Sequence, residues 1–136
     1  MENKGETYSE KQIASAVRFF KAKAKSYIPK RVSIYATKMG VSYGKITIRD
    51  QKTRWGSRSS SGTLSFNWRL MLAPKEVLDY VVIHELCHIK QMNHSKAFWM
   101  EVENVMPDYK IYRDWLKENG KMLTNEAAAK LAFLEE

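Results

Sequence analysis

The chain has 136 residues, 44% of them hydrophobic and 28% charged, which is enough apolar material for one compact domain whose core needs no covalent staples. Its single cysteine, Cys87, excludes an intrachain disulfide and a cysteine-rich structural zinc site, and no apolar run approaches the length that spans a bilayer. The net charge of +8 is unevenly placed: residues 1–60 hold 14 Lys and Arg against 4 acids and residues 61–136 hold 9 against 11, so an anionic partner such as nucleic acid would meet the N-terminal half.

The polar start, Met1 to Glu10, does not read as a signal peptide, and cytoplasmic residence is the expectation. Thr7-Tyr8-Ser9-Glu10 fits a capping box opening a helix whose apolar face is Ile13, Val17, Phe20 and Ala24 and which runs to about Tyr27. Pro29 suits the start of a second helix through Met39, stopped by Gly40. Ile46 and Ile48 alternate in a short strand, and a polar loop follows from Asp50 to Gly62. Leu64, Phe66, Trp68 and Leu70 alternate with Ser65, Asn67 and Arg69, the period of a half-buried strand with a polar face.

Pro74 opens a helix extending to about Met92, a shorter one spans Ser95 to Val105, and Asp108 caps another that reaches Glu118 before Gly120. The alanine-rich tail from Thr124 to Glu136 reads as a last helix. The sum is an α+β chain with a small sheet packed against helices. It divides into a basic helical part over 1–44, a core over 45–120 and a helical tail over 121–136, within a single domain.

All three histidines, His84, His88 and His94, fall inside eleven residues. In His84-Glu85-Leu86-Cys87-His88 the helical turn of about 100° per residue brings the two histidines onto one face and leaves Glu85 beside it. Two imidazoles can share a divalent ion, and a hydrolytic zinc centre normally takes a third protein donor and keeps one position open. His94 is the first candidate, because Asn93 can end the helix in the left-handed conformation and swing the chain back; Glu101 and Glu103 are the competing carboxylates. Zinc, one ion per chain, suits three neutral imidazoles, though nickel, cobalt and copper accept the same donors. In H-E-x-x-H chemistry Glu85 takes a proton from metal-activated water and passes it to the leaving amine, so no nucleophilic side chain is needed. The competing account is a helix with two hydrogen-bonded histidines. The apolar run Tyr80-Val81-Val82-Ile83 ahead of the motif and the third histidine behind it argue against that account.

Cys87 reads as a small buried filler, and Trp55 and Arg54 as a core ring and an ion-pair partner. Asn67, Arg69 and Tyr109 are the polar side chains considered as stabilisers of the oxyanion, and the strand Leu64 to Leu70 as the edge along which an extended peptide would lie.

Four stretches together carry a family resemblance: Ile48-Arg49-Asp50-Gln51-Lys52-Thr53-Arg54-Trp55-Gly56-Ser57, Leu64-Ser65-Phe66-Asn67-Trp68-Arg69-Leu70, Tyr80 through His88, and Asn93-His94-Ser95-Lys96-Ala97-Phe98-Trp99. Over Lys45 to Gly120 the chain resembles the YgjP-like predicted zinc metallopeptidases and, more distantly, the SprT-like and WLM groups of the zincin class. The resemblance implies a zincin-like fold with H-E-x-x-H on a central helix, zinc held by His84, His88 and His94, Glu85 as catalytic base and acid, and a peptide or protein as substrate. Two departures stand out: family members commonly carry a cysteine where this chain has Arg58, and many look longer at the N-terminus. The likeness to SprT-like proteins supplies the alternative, a nucleic-acid-associated protein or a protease acting on DNA-bound proteins. Against that alternative, the chain lacks a zinc-finger, cold-shock or helix-turn-helix signature.

Overall fold

A computed structural model describes residues 7–51 and 54–134. The polar start before Thr7, the Lys52–Thr53 pair and the tail beyond Leu134 lie outside them. One long helix, α1 (Glu10–Met39), takes the place of the two expected helices and carries Pro29 in its interior. An interior proline costs about 3 kcal/mol because it lacks an N–H and crowds the preceding turn. Burial on both sides of it outweighs that cost: Ala16, Ala24, Ile28, Val32 and Ala36, all buried, form one stripe at multiples of four residues, with the half-buried Phe20 filling the gap. The cap also differs from expectation. Ser9 accepts from the Gln12 amide while the Gln12 side chain accepts from the Ser9 amide, a reciprocal box two residues past Thr7. Gly40, at φ 68°, ends the helix in the left-handed conformation as its sequence position suggests.

Among the described residues three strands form the sheet, β1 (Ile46–Arg49), β2 (Gly56–Arg58) and β3 (Leu64–Asn67), in the order β1-β3-β2. β1 runs parallel to β3 with Ile46 opposite Leu64 and Ile48 opposite Phe66; β2 runs antiparallel with Gly56 opposite Phe66 and Arg58 opposite Leu64. β2 lies within the expected loop, because a three-residue strand is too short to show a period and is recruited by pairing with β3. β3 itself is central rather than an edge, and all four of its residues are buried, including the polar Ser65 and Asn67. Ser65 exchanges a hydroxyl hydrogen bond with Thr47 at 2.7 Å, which meets the need that burial creates. The strand also stops at Asn67. Asn67 accepts from the Arg69 amide and caps a 3₁₀ turn over Trp68–Leu72, so the apparent alternation through Leu70 spans two kinds of structure.

The helix α2 (Lys75–Lys90) follows, buried without a break from Val77 to Ile83 and again from Glu85 to Cys87, the signature of a helix surrounded by protein. It packs against α1, the 3₁₀ turn and β2 as well as against α3 (Lys96–Val105) and α4 (Tyr109–Asn119). Asp79 is the charged residue on its α1 side. Arg31 holds it with a two-pronged pair at 2.9 and 2.8 Å, and the Tyr35 hydroxyl donates to it at 3.2 Å, so a buried carboxylate is fully partnered and α1 is pinned to α2. The tail docks: α5 (Asn125–Ala132), capped by Thr124, lies on α1 through the fully buried Ala128 and Ala129, and Phe133 stacks on Tyr8 at 6.2 Å. No helix among the described residues is long and apolar enough to cross a membrane.

Candidate metal centre

His84, Glu85 and His88 occupy the last half of α2, where the helical turn places both imidazoles on the face left open by β2 and α3. The helix ends at Lys90, two residues before the expected Met92. Gln91 leaves in extended backbone, at φ −126°, and no non-glycine described residue has positive φ, so the anticipated left-handed turn at Asn93 is not formed. His94 returns for a different reason: Ser95 caps α3 by accepting from the Phe98 amide, and α3 packs back on α2 through Phe98 and Val102. Phe98, fully buried, lies beneath all three imidazoles with ring centres 5.1 Å from His84, 4.6 Å from His88 and 4.9 Å from His94.

The three ring nitrogens converge. His94 Nε2 lies 3.2 Å from His84 Nε2 and 3.0 Å from His88 Nε2. The opposite nitrogens decide the tautomers: His88 Nδ1 faces the Gln91 carbonyl at 3.2 Å and His84 Nδ1 faces a Glu85 carboxylate oxygen at 3.2 Å, so each carries its proton on Nδ1 and presents a bare Nε2. Hydrogen bonds alone serve such a cluster poorly, because one proton on His94 Nε2 would have to satisfy two lone pairs. A cation satisfies all three, and two nitrogens about 2.05 Å from a tetrahedral ion stand about 3.3 Å apart, close to the separations here. The donors fit a zinc-like ion. Burial, helped by the neighbouring His84, holds the His88 pKa below the usual imidazole value, which favours the neutral, ligating form. Glu101 is paired with Lys90 at 3.1 Å, and neither it nor Glu103 is among the converging donors.

Glu85 is 5% exposed, and β2 covers it at Gly56. A Cβ on Gly56 would stand 3.0 Å from Glu85 Cγ and from Val81 Cγ1 and 3.1 Å from the Glu85 carboxylate, so the strand reaches this carboxylate only because a glycine is there. A second glycine repeats the device, since a Cβ on Gly120 would be 2.9 Å from the Trp55 ring. Trp55 thus packs on Gly120 while also lining a cavity of about 620 Å³ that opens over His84, Glu85, His88 and His94.

The oxyanion candidates are not gathered at this cavity. Asn67 spends its amide nitrogen on the Gln51 and Arg54 carbonyls, tying the loop ahead of β2. Arg69 points elsewhere, to Asp50 at 2.8 Å and Asn125 at 2.9 Å. Tyr109 is buried in a stack between Trp99, at 5.4 Å, and Tyr80, at 6.4 Å. Tyr80, Arg54, Arg58 and Arg113 line the cavity instead. Tyr80 and His84 are one helical turn apart, a spacing that could have been read; the others come from segments with no periodic signal. Cys87 is a fully buried filler as expected, its thiol pushed up to about 12 by burial.

Over residues 1–119 the sequence matches the family described as YgjP-like, metallopeptidase domain. Solved structures that resemble the fold include two crystal structures of metallopeptidase zymogens. Abylysin of Pyrococcus abyssi is 28% identical with a TM-score of 0.61, covering 68% of this chain and 93% of its own. Jannalysin of Methanocaldococcus jannaschii is 27% identical with a TM-score of 0.58, covering 70% of this chain and 96% of its own. Among curated proteins none matches.

Proposed function

The chain belongs to the YgjP-like metallopeptidase family and has a zincin-like fold, and from that premise we propose a zinc-dependent peptidase in which His84, His88 and His94 hold the ion and Glu85 moves the protons. The observation that carries the reading is the convergence of three imidazole nitrogens beside a buried glutamate at the floor of an open cavity. Zinc bound there would supply Lewis-acid polarisation of a carbonyl and a water acidic enough to react near neutral pH. Glu85 takes the proton of the attacking water and returns it to the leaving amine. Tyr80 lines the cavity one helical turn before His84, ring centres 5.8 Å apart, and is the hydroxyl we assign to a developing oxyanion: burial pushes its pKa up to about 12, so it keeps its proton to donate.

The free edge of the sheet supports placing the substrate along β2 rather than along the central β3. The Trp55 carbonyl accepts from the Asn67 amide and the Ser59 amide donates to the Thr63 carbonyl, both at 2.9 Å. By alternation Ser57 also faces β3, which leaves the backbone groups of Gly56 and Arg58 turned outward. An extended peptide would add there as a fourth strand beside Glu85.

Metal removal tests the function. Protein stripped by a chelator should lose hydrolysis of unfolded protein and mixed peptides, and one equivalent of zinc should restore it. Hydrolysis that survives complete stripping would sink the proposal. Gly56→Ala tests the fit of β2 on Glu85. The added methyl should cost about 1–3 kcal/mol by overpacking and lower turnover at least roughly tenfold, with zinc content unchanged. A variant as active and as stable as the parent would show that the contact is not restrictive.

A further inference from the structure

The cavity over the imidazoles is electrically one-sided. Among the described residues Arg54, Arg58, Arg113 and Lys117 line it against one carboxylate, Glu85, which already faces His84 Nδ1 at 3.2 Å. Of these cations Arg113 has an acidic partner, its sequence neighbour Asp114 at 3.2 Å, and is held over the rings of Tyr109 and Trp99 at 5.5 and 5.8 Å. Among the described residues Arg54, Arg58 and Lys117 have no carboxylate within ion-pair distance. Lys117 follows Arg113 by one helical turn on α4, so the two present charge from the same face.

Arg58 is the most poorly served. Its Nε is fully buried with no hydrogen-bond partner among the described residues. Nη1 donates to the adjacent Ser59 carbonyl at 3.2 Å, and Nη2 meets only the Met92 thioether sulfur at 3.2 Å, a weak acceptor. A guanidinium drawn partly out of water without an anionic partner is costly to keep, and a bound carboxylate would relieve that cost with charge-assisted hydrogen bonds. Its position is specific too. Arg58 is two residues from Gly56 on one strand, so its side chain rises from the same strand face that Gly56 turns to Glu85, about 6.7 Å further along. Gly56 is the residue that meets Glu85.

We propose that the peptidase site prefers substrates carrying a carboxylate next to the scissile bond, with Arg58 as the residue that selects it and Arg113 and Lys117 supplying the surrounding positive field. The proposal rests on the peptidase reading for the word substrate, while the carboxylate site itself stands on the cations. The carboxylate can come from an acidic side chain or from a peptide's own C-terminus, and the test separates the two.

Zinc-loaded Glu85→Gln protein, which should bind without turning over, is titrated against labelled peptides that differ only as Glu or Gln, each made with an amidated and a free C-terminus, with anisotropy as readout. The amidated Glu peptide should bind about tenfold to a hundredfold more tightly than its Gln partner, and the gap should close in Arg58→Gln. Arg58→Lys should keep most of the gap, which separates lost charge from lost fold. A gap seen only between free and amidated termini, and abolished by Arg58→Gln, assigns the site to the chain terminus. Equal binding of all four peptides, or a gap that Arg58→Gln leaves intact, overturns the proposal. Hydrolysis is scored separately with unsubstituted zinc protein: a binding gap without cleavage of any peptide would retain the carboxylate site and remove the peptidase reading, whereas cleavage indifferent both to Glu or Gln and to a free or amidated terminus would do the reverse.

Discussion

Glu85→Gln is expected to bind zinc and fold like the parent yet lose about a hundredfold to ten-thousandfold in turnover, the usual share of general acid and base catalysis. Glutamine keeps the volume that β2 packs upon at Gly56, and all three imidazoles remain, so neither the fold nor the donor set is disturbed. What disappears is the carboxylate that accepts a proton. The measurement is kcat on a cleaved peptide beside zinc content and thermal unfolding of both proteins. Full turnover with zinc bound would remove Glu85 from the proton path. Loss of zinc would instead point to the 3.2 Å contact with His84 Nδ1, meaning that the carboxylate orients a ligand as much as it serves the reaction.

His94→Ala is expected to weaken zinc binding by roughly a hundredfold or more, and His84→Ala and His88→Ala to do likewise. If about 10–16 kcal/mol of apparent zinc affinity is shared among four ligands, each donor contributes about 3 kcal/mol, which is of that order. His94 is the most informative of the three, because it lies outside the helix and reaches the others only through the packing of α3. Glu101→Gln serves as the control and should keep its zinc, since that carboxylate is engaged with Lys90. Competition with a zinc chelator of known affinity reads all four variants, with unfolding followed in parallel because the metal contributes to native stability. Tight zinc in His94→Ala, with weak zinc in Glu101→Gln, would transfer the third donor to the carboxylate.

What the sequence determined by itself was local. The spacing of His84 and His88 fixes their common face on any helix, the apolar run before them predicts that this helix is buried, and Gly40, Ser95 and Thr124 mark helix ends through side-chain or backbone chemistry that acts within a few residues. The same local logic failed where burial outbids propensity, as at Pro29, where Ile28 and Val32 keep α1 continuous. It also failed at Asn93, where the pull of α3 on α2, not a left-handed residue, brings His94 back. Tertiary structure alone decided the rest. β2 exists because β3 pairs with it, and its arrival over Glu85 turns an unremarkable glycine into a requirement. Phe98 becomes the common floor of three imidazoles, Asn67 and Arg69 are drawn into loop and ion-pair contacts away from them, and cations from β2 and α4 meet across one cavity. Each of these depends on contacts between residues far apart in the chain, and neither helical nor strand periodicity carries information at that range.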